Sequence, residues 1–224
     1  MLGEHQTNSS PTATRMLYCF GDSHVGHCFD RIRSASVCWL GPVTMHRVAR
    51  DGLWFLDQID VRPNTTVLLL FGEIDVRCHL GRVADETNTS RSDVAHSLVQ
   101  SYVGRIAAAR SGVDGVRFVL CSVPPPADGP GIQNSDFPVY GNHGDRARLT
   151  SLVNSELRTQ CKTHAFDYLD FHEEFATPEG YLIEGLSDGS VHIDRRYTLP
   201  IVRRLERLLA TSLLLEEPDP RIST

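Results

Sequence analysis

Ser23 follows a short apolar run and a Gly-Asp turn, and His192 lies near the other end of the chain in Leu186-Ser187-Asp188-Gly189-Ser190-Val191-His192-Ile193-Asp194. A serine hydroxyl is a weak nucleophile at neutral pH and needs a base beside it. Histidine is the side chain best matched to proton transfer near neutrality, and a nearby carboxylate fixes its tautomer. A serine directly after a strand, with a helix starting behind it, also has free backbone N–H groups at hand for a developing oxyanion. Asp22 and Ser23 are equally ordinary helix caps, so the case rests on the two ends of the chain being read together. His24, His27 and Cys28 fall within about one helical turn, but no fourth ligand accompanies them, and no metal or cofactor is expected. Cys78-His79 are adjacent, and adjacent residues on a helix point apart.

Phe20-Gly21-Asp22-Ser23-His24 and Ser187-Asp188-Gly189-Ser190-Val191-His192-Ile193-Asp194 resemble the first and last signature blocks of the SGNH/GDSL hydrolases. Gly72-Glu73-Ile74-Asp75 resembles the third block, usually Gly-x-Asn-Asp. The likeness runs from Tyr18 to about Tyr197, although only these short blocks are specific. It implies a flavodoxin-like three-layer fold, serine attack on an ester, histidine as base and an aspartate orienting it. It also implies an oxyanion hole made of the serine N–H, a glycine N–H and an asparagine side chain. Carried over by position, Ser23 is the nucleophile, His192 the base and Asp188 the orienting acid. Gly52, in Ala49-Arg50-Asp51-Gly52, is preferred as the second-block glycine, with Gly41 in Leu40-Gly41-Pro42 as its competitor.

Two departures stand out. The family separates its Asp and His by two residues, whereas three lie between Asp188 and His192, which keeps Asp194 in view as another acid. Ile74 occupies the asparagine position, and loss of one such donor costs ~10²–10³ in rate. Arg77 is the candidate replacement, as a donor to an oxyanion or to a substrate carboxylate or phosphate. Glu73 would then hold an arginine or a substrate hydroxyl. Alternatively, Glu73, Asp75 and Arg77 form a structural ion-pair cluster.

The elements that must position these residues alternate along the chain. Met16–Phe20, Val67–Phe71, Val116–Cys121 and the weaker Ala165–Leu169 are compact apolar runs ended by turn residues, the pattern of buried strands. A further short edge strand is expected over Val43–Val48. Ser92–Arg110, Arg146–Cys161 and Tyr197–Leu215 carry apolar residues at helical spacing. Strands alternating with helices predict parallel pairing with right-handed crossovers, an α/β three-layer sandwich with helices on both faces. Ligand sites in such sheets lie beyond the carboxyl ends of the strands. Gly21–His24, Gly72–Asp75 and the Gly- and Pro-rich stretch Pro124–His143 follow three of these runs.

The 224 residues suffice for one sizeable core, and 41% hydrophobic with 22% charged residues is ordinary for a globular domain. We read residues 1–14 as a polar lead-in, 15–216 as one hydrolase-like domain and 217–224 as a tail. The net charge of −6 gives no reason to expect nucleic acid or an anionic membrane as partner. The six cysteines show no paired spacing, and the first fifteen residues lack the apolar core of a secretion signal, so a cytoplasmic protein with reduced thiols is expected. The sequence leaves the oligomeric state open. The expected activity is hydrolysis of a small acyl ester, such as an acetyl group on a carbohydrate or polar metabolite. Acyl transfer to a carbohydrate or metabolite hydroxyl through the same residues is one alternative, and a catalytically silent binding module of the same fold is another.

Overall fold

The strands are central because their residues are apolar on both sides. In Leu17–Gly21 (β1) and Thr66–Leu70 (β3) every residue is buried, as expected of parallel strands covered on two faces. A computed structural model of the chain describes residues 16–128, 132 and 136–216; the lead-in and the tail expected at the two ends lie outside these. Ala35–Trp39 (β2), Arg117–Cys121 (β4) and Asp167–Leu169 (β5) complete a five-stranded sheet of order β2-β1-β3-β4-β5, in which every pairing is parallel.

Alternate strand residues point to opposite faces. Tyr18, Phe20, Val67, Leu69, Phe118 and Leu120 pack under the helices Met45–Asp51 (α2), Arg91–Arg110 (α4) and His143–His164 (α5). Leu17, Cys19, Leu68, Leu70, Val119 and Cys121 pack under Ser23–Phe29 (α1), His172–Phe175 (α6) and Leu199–Leu209 (α7). A further helix, Gly81–Thr87 (α3), continues from a π-helical stretch over Asp75–Leu80. The result is the three-layer α/β sandwich that the alternation predicts.

Local detail differs from the sequence reading at three places. The segment Val43–Val48 is not a strand. Thr44 accepts the Arg47 N–H and starts α2, so Val43, Met45 and Val48 are buried beside and along a helix. The edge strand is β2, whose half-exposed residues form no apolar run. The last helix is shorter than Tyr197–Leu215: a 3₁₀ turn over Arg195–Tyr197 precedes it, and Ala210, in left-handed conformation, ends it.

What positions the site is the register. Gly21, at the end of β1, lies level with Trp39 of β2 and with Leu70 of β3. The chain leaves β1 to form β2 on one side and returns to form β3 on the other, a topological switch point at which three loops open on one crevice.

Candidate active site

Ser23 begins α1. The side chain of Asp22 accepts the His24 N–H and so caps the helix, while among the described residues no acceptor is recorded for the Ser23 N–H. Ser23 Oγ lies 2.8 Å from His192 Nε2, and His192 Nδ1 lies 2.9 Å from Asp188 Oδ2. Proton exchange between Oγ and Nε2 needs only this contact, provided Nδ1 carries the other proton toward the carboxylate.

The unusual Asp–His spacing is closed by a tight loop. Ser187 and Ile193 form an antiparallel bridge, and the Asp188 N–H donates to the His192 carbonyl at 3.1 Å. Gly189, at φ +87°, takes the left-handed turn that a side chain would resist. Asp188 and His192 therefore face each other across the loop, and three intervening residues keep the contact that two would make. Asp194 is engaged elsewhere: its carboxylate holds the backbone N–H and the guanidinium of Arg196.

Burial, and next the charges of His24 and His27, push His192 down to about 4, against the opposing pull of Asp188. Burial tends to raise Asp188, but the Ser190 N–H and His192 outweigh it and hold the carboxyl below its usual range. The resting pair is a neutral imidazole on a carboxylate.

Gly52 is not a donor to this site. It ends α2, and its N–H caps the helix on the Val48 carbonyl at 2.9 Å. The competing glycine, Gly41, belongs to the loop whose Trp39 and Pro42 border the cavity. Gly41, at φ +79°, turns the chain just past β2 between Trp39 and Pro42, which line the same cavity as Ser23. Among the described residues no acceptor is recorded for the Gly41 N–H. The proline after it does not block the turn; the left-handed glycine absorbs the geometry.

The third loop divides its duties. Asp75, which is buried, accepts from Met45 N at 2.7 Å and His46 N at 3.2 Å and so holds the start of α2. Burial pushes Asp75 up to about 7 despite these two bonds. Ile74 lines the cavity where the resemblance places an asparagine. Arg77, on the π-helical stretch, donates Nε to Glu73 Oε1 at 2.6 Å and Nη1 to the Phe137 carbonyl at 3.2 Å. Its Nη2 has no recorded partner among the described residues. Glu73 and Arg77 are a buried ion pair, Asp75 being bonded instead to the start of α2, and Arg77 borders the cavity. That cavity, of about 270 Å³, is mostly apolar, and Trp39 on its wall is 68% exposed.

Two histidines matter in ways that their spacing does not announce. The ring of His27 stacks on His192 with centroids 3.9 Å apart and planes at 6°. His24 is buried, with Nδ1 at 2.9 Å from Asp22 Oδ1 and Nε2 at 3.1 Å from the Val191 carbonyl. The His24–His27–Cys28 trio is not a ligand set, because His24 is spent on those bonds and Cys28 lies in the core. His27, Asp188 and His192 do bring ligand atoms within 4.8 Å of one another. The rings of His27 and His192, however, lie stacked in nearly parallel planes, so an ion between them would sit out of the plane of at least one. The six thiols are all free, and five are buried.

No model of a protein family matches the sequence, and no curated protein matches it either. Solved structures do. Est24, a carbohydrate acetylesterase from Sinorhizobium meliloti, is 13% identical, with 88% of this chain and 98% of that chain covered at a TM-score of 0.55. A GDSL-like lipase from Bacteroides thetaiotaomicron is 14% identical over 88% of this chain and 86% of that one, at 0.54. A member of the lipolytic G-D-S-L family from Veillonella parvula is 13% identical over 87% and 98%, at 0.53. The fold is that of the SGNH/GDSL-like hydrolases. Among the described residues no helix is long and apolar enough to cross a membrane.

Proposed function

We propose that the chain is a serine esterase of the SGNH type that removes a small acyl group, such as acetyl, from a carbohydrate or polar metabolite. The observation that carries this is the unbroken series of hydrogen bonds from Ser23 Oγ through His192 to Asp188, opening on a cavity. Ser23 attacks the ester carbonyl while His192 Nε2 takes its proton, and Asp188 steadies the imidazolium that forms. The tetrahedral oxyanion takes hydrogen bonds from the N–H groups of Ser23 and Gly41, with Arg77 supplying the third in place of the asparagine. His192 then returns the proton to the departing alcohol oxygen. A water molecule, activated by the same imidazole, releases the acid from Ser23.

The cavity favours a small acyl group, since about 270 Å³ bordered by Arg77 suits a short chain better than a long one. The exposed face of Trp39 on the cavity wall favours a sugar as the alcohol part, because the C–H face of a sugar ring packs flat on an indole. The same platform would hold an acceptor hydroxyl, so transfer of the acyl group to a sugar is the second reading.

A fluorophosphonate probe and p-nitrophenyl acetate test the proposal together. The wild type should be labelled and should turn over the ester, and Ser23→Ala and His192→Ala should lose both. A folded wild type that is neither labelled nor active would point to the silent binding module instead. Release of free acetate from an acetylated sugar, compared with its transfer to an added sugar, separates hydrolysis from transfer.

A further inference from the structure

We infer that His24 is a buried imidazolium that positions the His192 loop on Ser23 and, by its charge, keeps His192 neutral. Both of its ring nitrogens face acceptors. Nδ1 meets the Asp22 carboxylate at 2.9 Å, and Nε2 meets the Val191 carbonyl at 3.1 Å. A carbonyl only accepts, so Nε2 carries a proton. Asp22 Oδ1 already accepts the His24 backbone N–H, so it takes a second donor from Nδ1. A ring satisfied on both sides in this way is doubly protonated and positive.

The charge has a purpose in its surroundings. Asp22 is buried, and its Oδ2 has no hydrogen-bond partner among the described residues; a neutral His24 would leave a buried carboxylate unbalanced, which is costly. The other groups facing His24 are Glu73, already paired with Arg77 in the loop after β3, and His192 beside Asp188 in the loop before α7. His27 lies one turn along α1. Burial works against the charged ring, but Asp22 and then Glu73 outweigh it, and His24 is pushed up to about 9.

Two consequences reach the base. The Nε2–H bond fixes the carbonyl one residue before His192, so a short helix carrying the serine also grips the loop carrying the histidine. The centroids of the His24 and His192 rings are 4.7 Å apart, a distance at which like charges disfavour each other. Burial first, and then the positive charge of His24, keep His192 neutral well below the ordinary imidazole range. His24 is thus a positioning residue, and its effect on turnover rests on the esterase reading, whereas its charge does not.

The experiment has two arms. In the wild-type protein labelled with ¹⁵N-histidine, the assigned His24 ring should show both nitrogens protonated through pH 8; a single-tautomer neutral ring at pH 7 would overturn the inference. This arm needs no activity, so it decides the charge even if Ser23 proves inert. In the second arm, kcat/KM for p-nitrophenyl acetate is measured against pH for the wild type and His24→Gln. The variant keeps one donor and loses the charge. Its acid limb should move up toward the ordinary value of about 6.5, with kcat lowered about tenfold or more and KM little changed. An acid limb that stays in place while kcat falls would reduce His24 to a structural role and overturn its electrostatic one.

Discussion

On the proposed mechanism, Arg77 decides whether the oxyanion hole is complete. Ile74 offers no donor where the family resemblance places an asparagine, while the Arg77 guanidinium lies in the same cavity wall with Nε and Nη1 engaged. Its pairing with Glu73 means that simple removal would strand a buried carboxylate, and part of any loss would come from that. The informative variant is Glu73→Gln combined with Arg77→Met, which takes away both charges at similar size. If Arg77 serves the oxyanion, kcat for p-nitrophenyl acetate should fall by ~10²–10³ with KM nearly constant. If it binds a substrate anion, kcat for this neutral ester should hold, and only anionic substrates should suffer in KM. Steady-state kinetics on the folded double variant separate the two outcomes.

At the scale of elements, α2 depends on a residue from another loop. Asp75 anchors the Met45 and His46 N–H groups, and α2 follows on the Gly41 turn, so one carboxylate ties the loop after β2 to the loop after β3. Its pKa is raised, by burial first, from 3.8 to about 7. A carboxyl that holds its proton more tightly when folded favours the fold at low pH and gives up stability as pH rises from about 4 to about 7. Asp75→Asn should remove that decline. Melting temperatures at pH 4.5 and pH 8 should differ less for the variant than for the wild type, and an unchanged difference would show that Asp75 is ionised throughout.

This coupling also shows what the sequence discloses and what it hides. Long apolar periods such as those of β3 and α4 are readable because burial dictates residue type over a whole face. The segment Val43–Val48 misleads because Val43, Met45 and Val48 would also suit a strand, and the cap that makes a helix of it comes partly from a residue thirty positions away. Ser23, His192 and Asp188 are legible as residue types in short blocks. Gly52 is misread because a glycine ending a helix and one turning after a strand look alike in sequence. His24 is invisible as an imidazolium until the fold brings the Val191 carbonyl to its ring.

At the scale of the whole molecule, the site exists only while both ends of the chain are docked. Ser23 belongs to β1–α1, and His192 and Asp188 enter just before α7. The joints are extensive. Ile201, Val202, Leu205 and Leu209 of α7 are buried in the cluster that also holds Val25, Cys28 and Phe29 of α1. Past α7, Leu214 and Glu216 exchange backbone hydrogen bonds with Arg33 and Arg31 just after α1, and Leu215 bridges Ile32. One apolar core under both segments of the proposed triad predicts one cooperative loss. In urea, the midpoint for p-nitrophenyl acetate turnover should coincide with the midpoint by far-ultraviolet circular dichroism. Leu205→Ala, which empties a fully buried position, should lower both together by about 2–5 kcal/mol of stability while leaving turnover per folded molecule intact. If turnover were lost at clearly lower urea than the dichroism, the segment from Asp188 onward would be a separately melting unit. The Ser23–His192 contact would then depend on local docking of that segment rather than on the shared core.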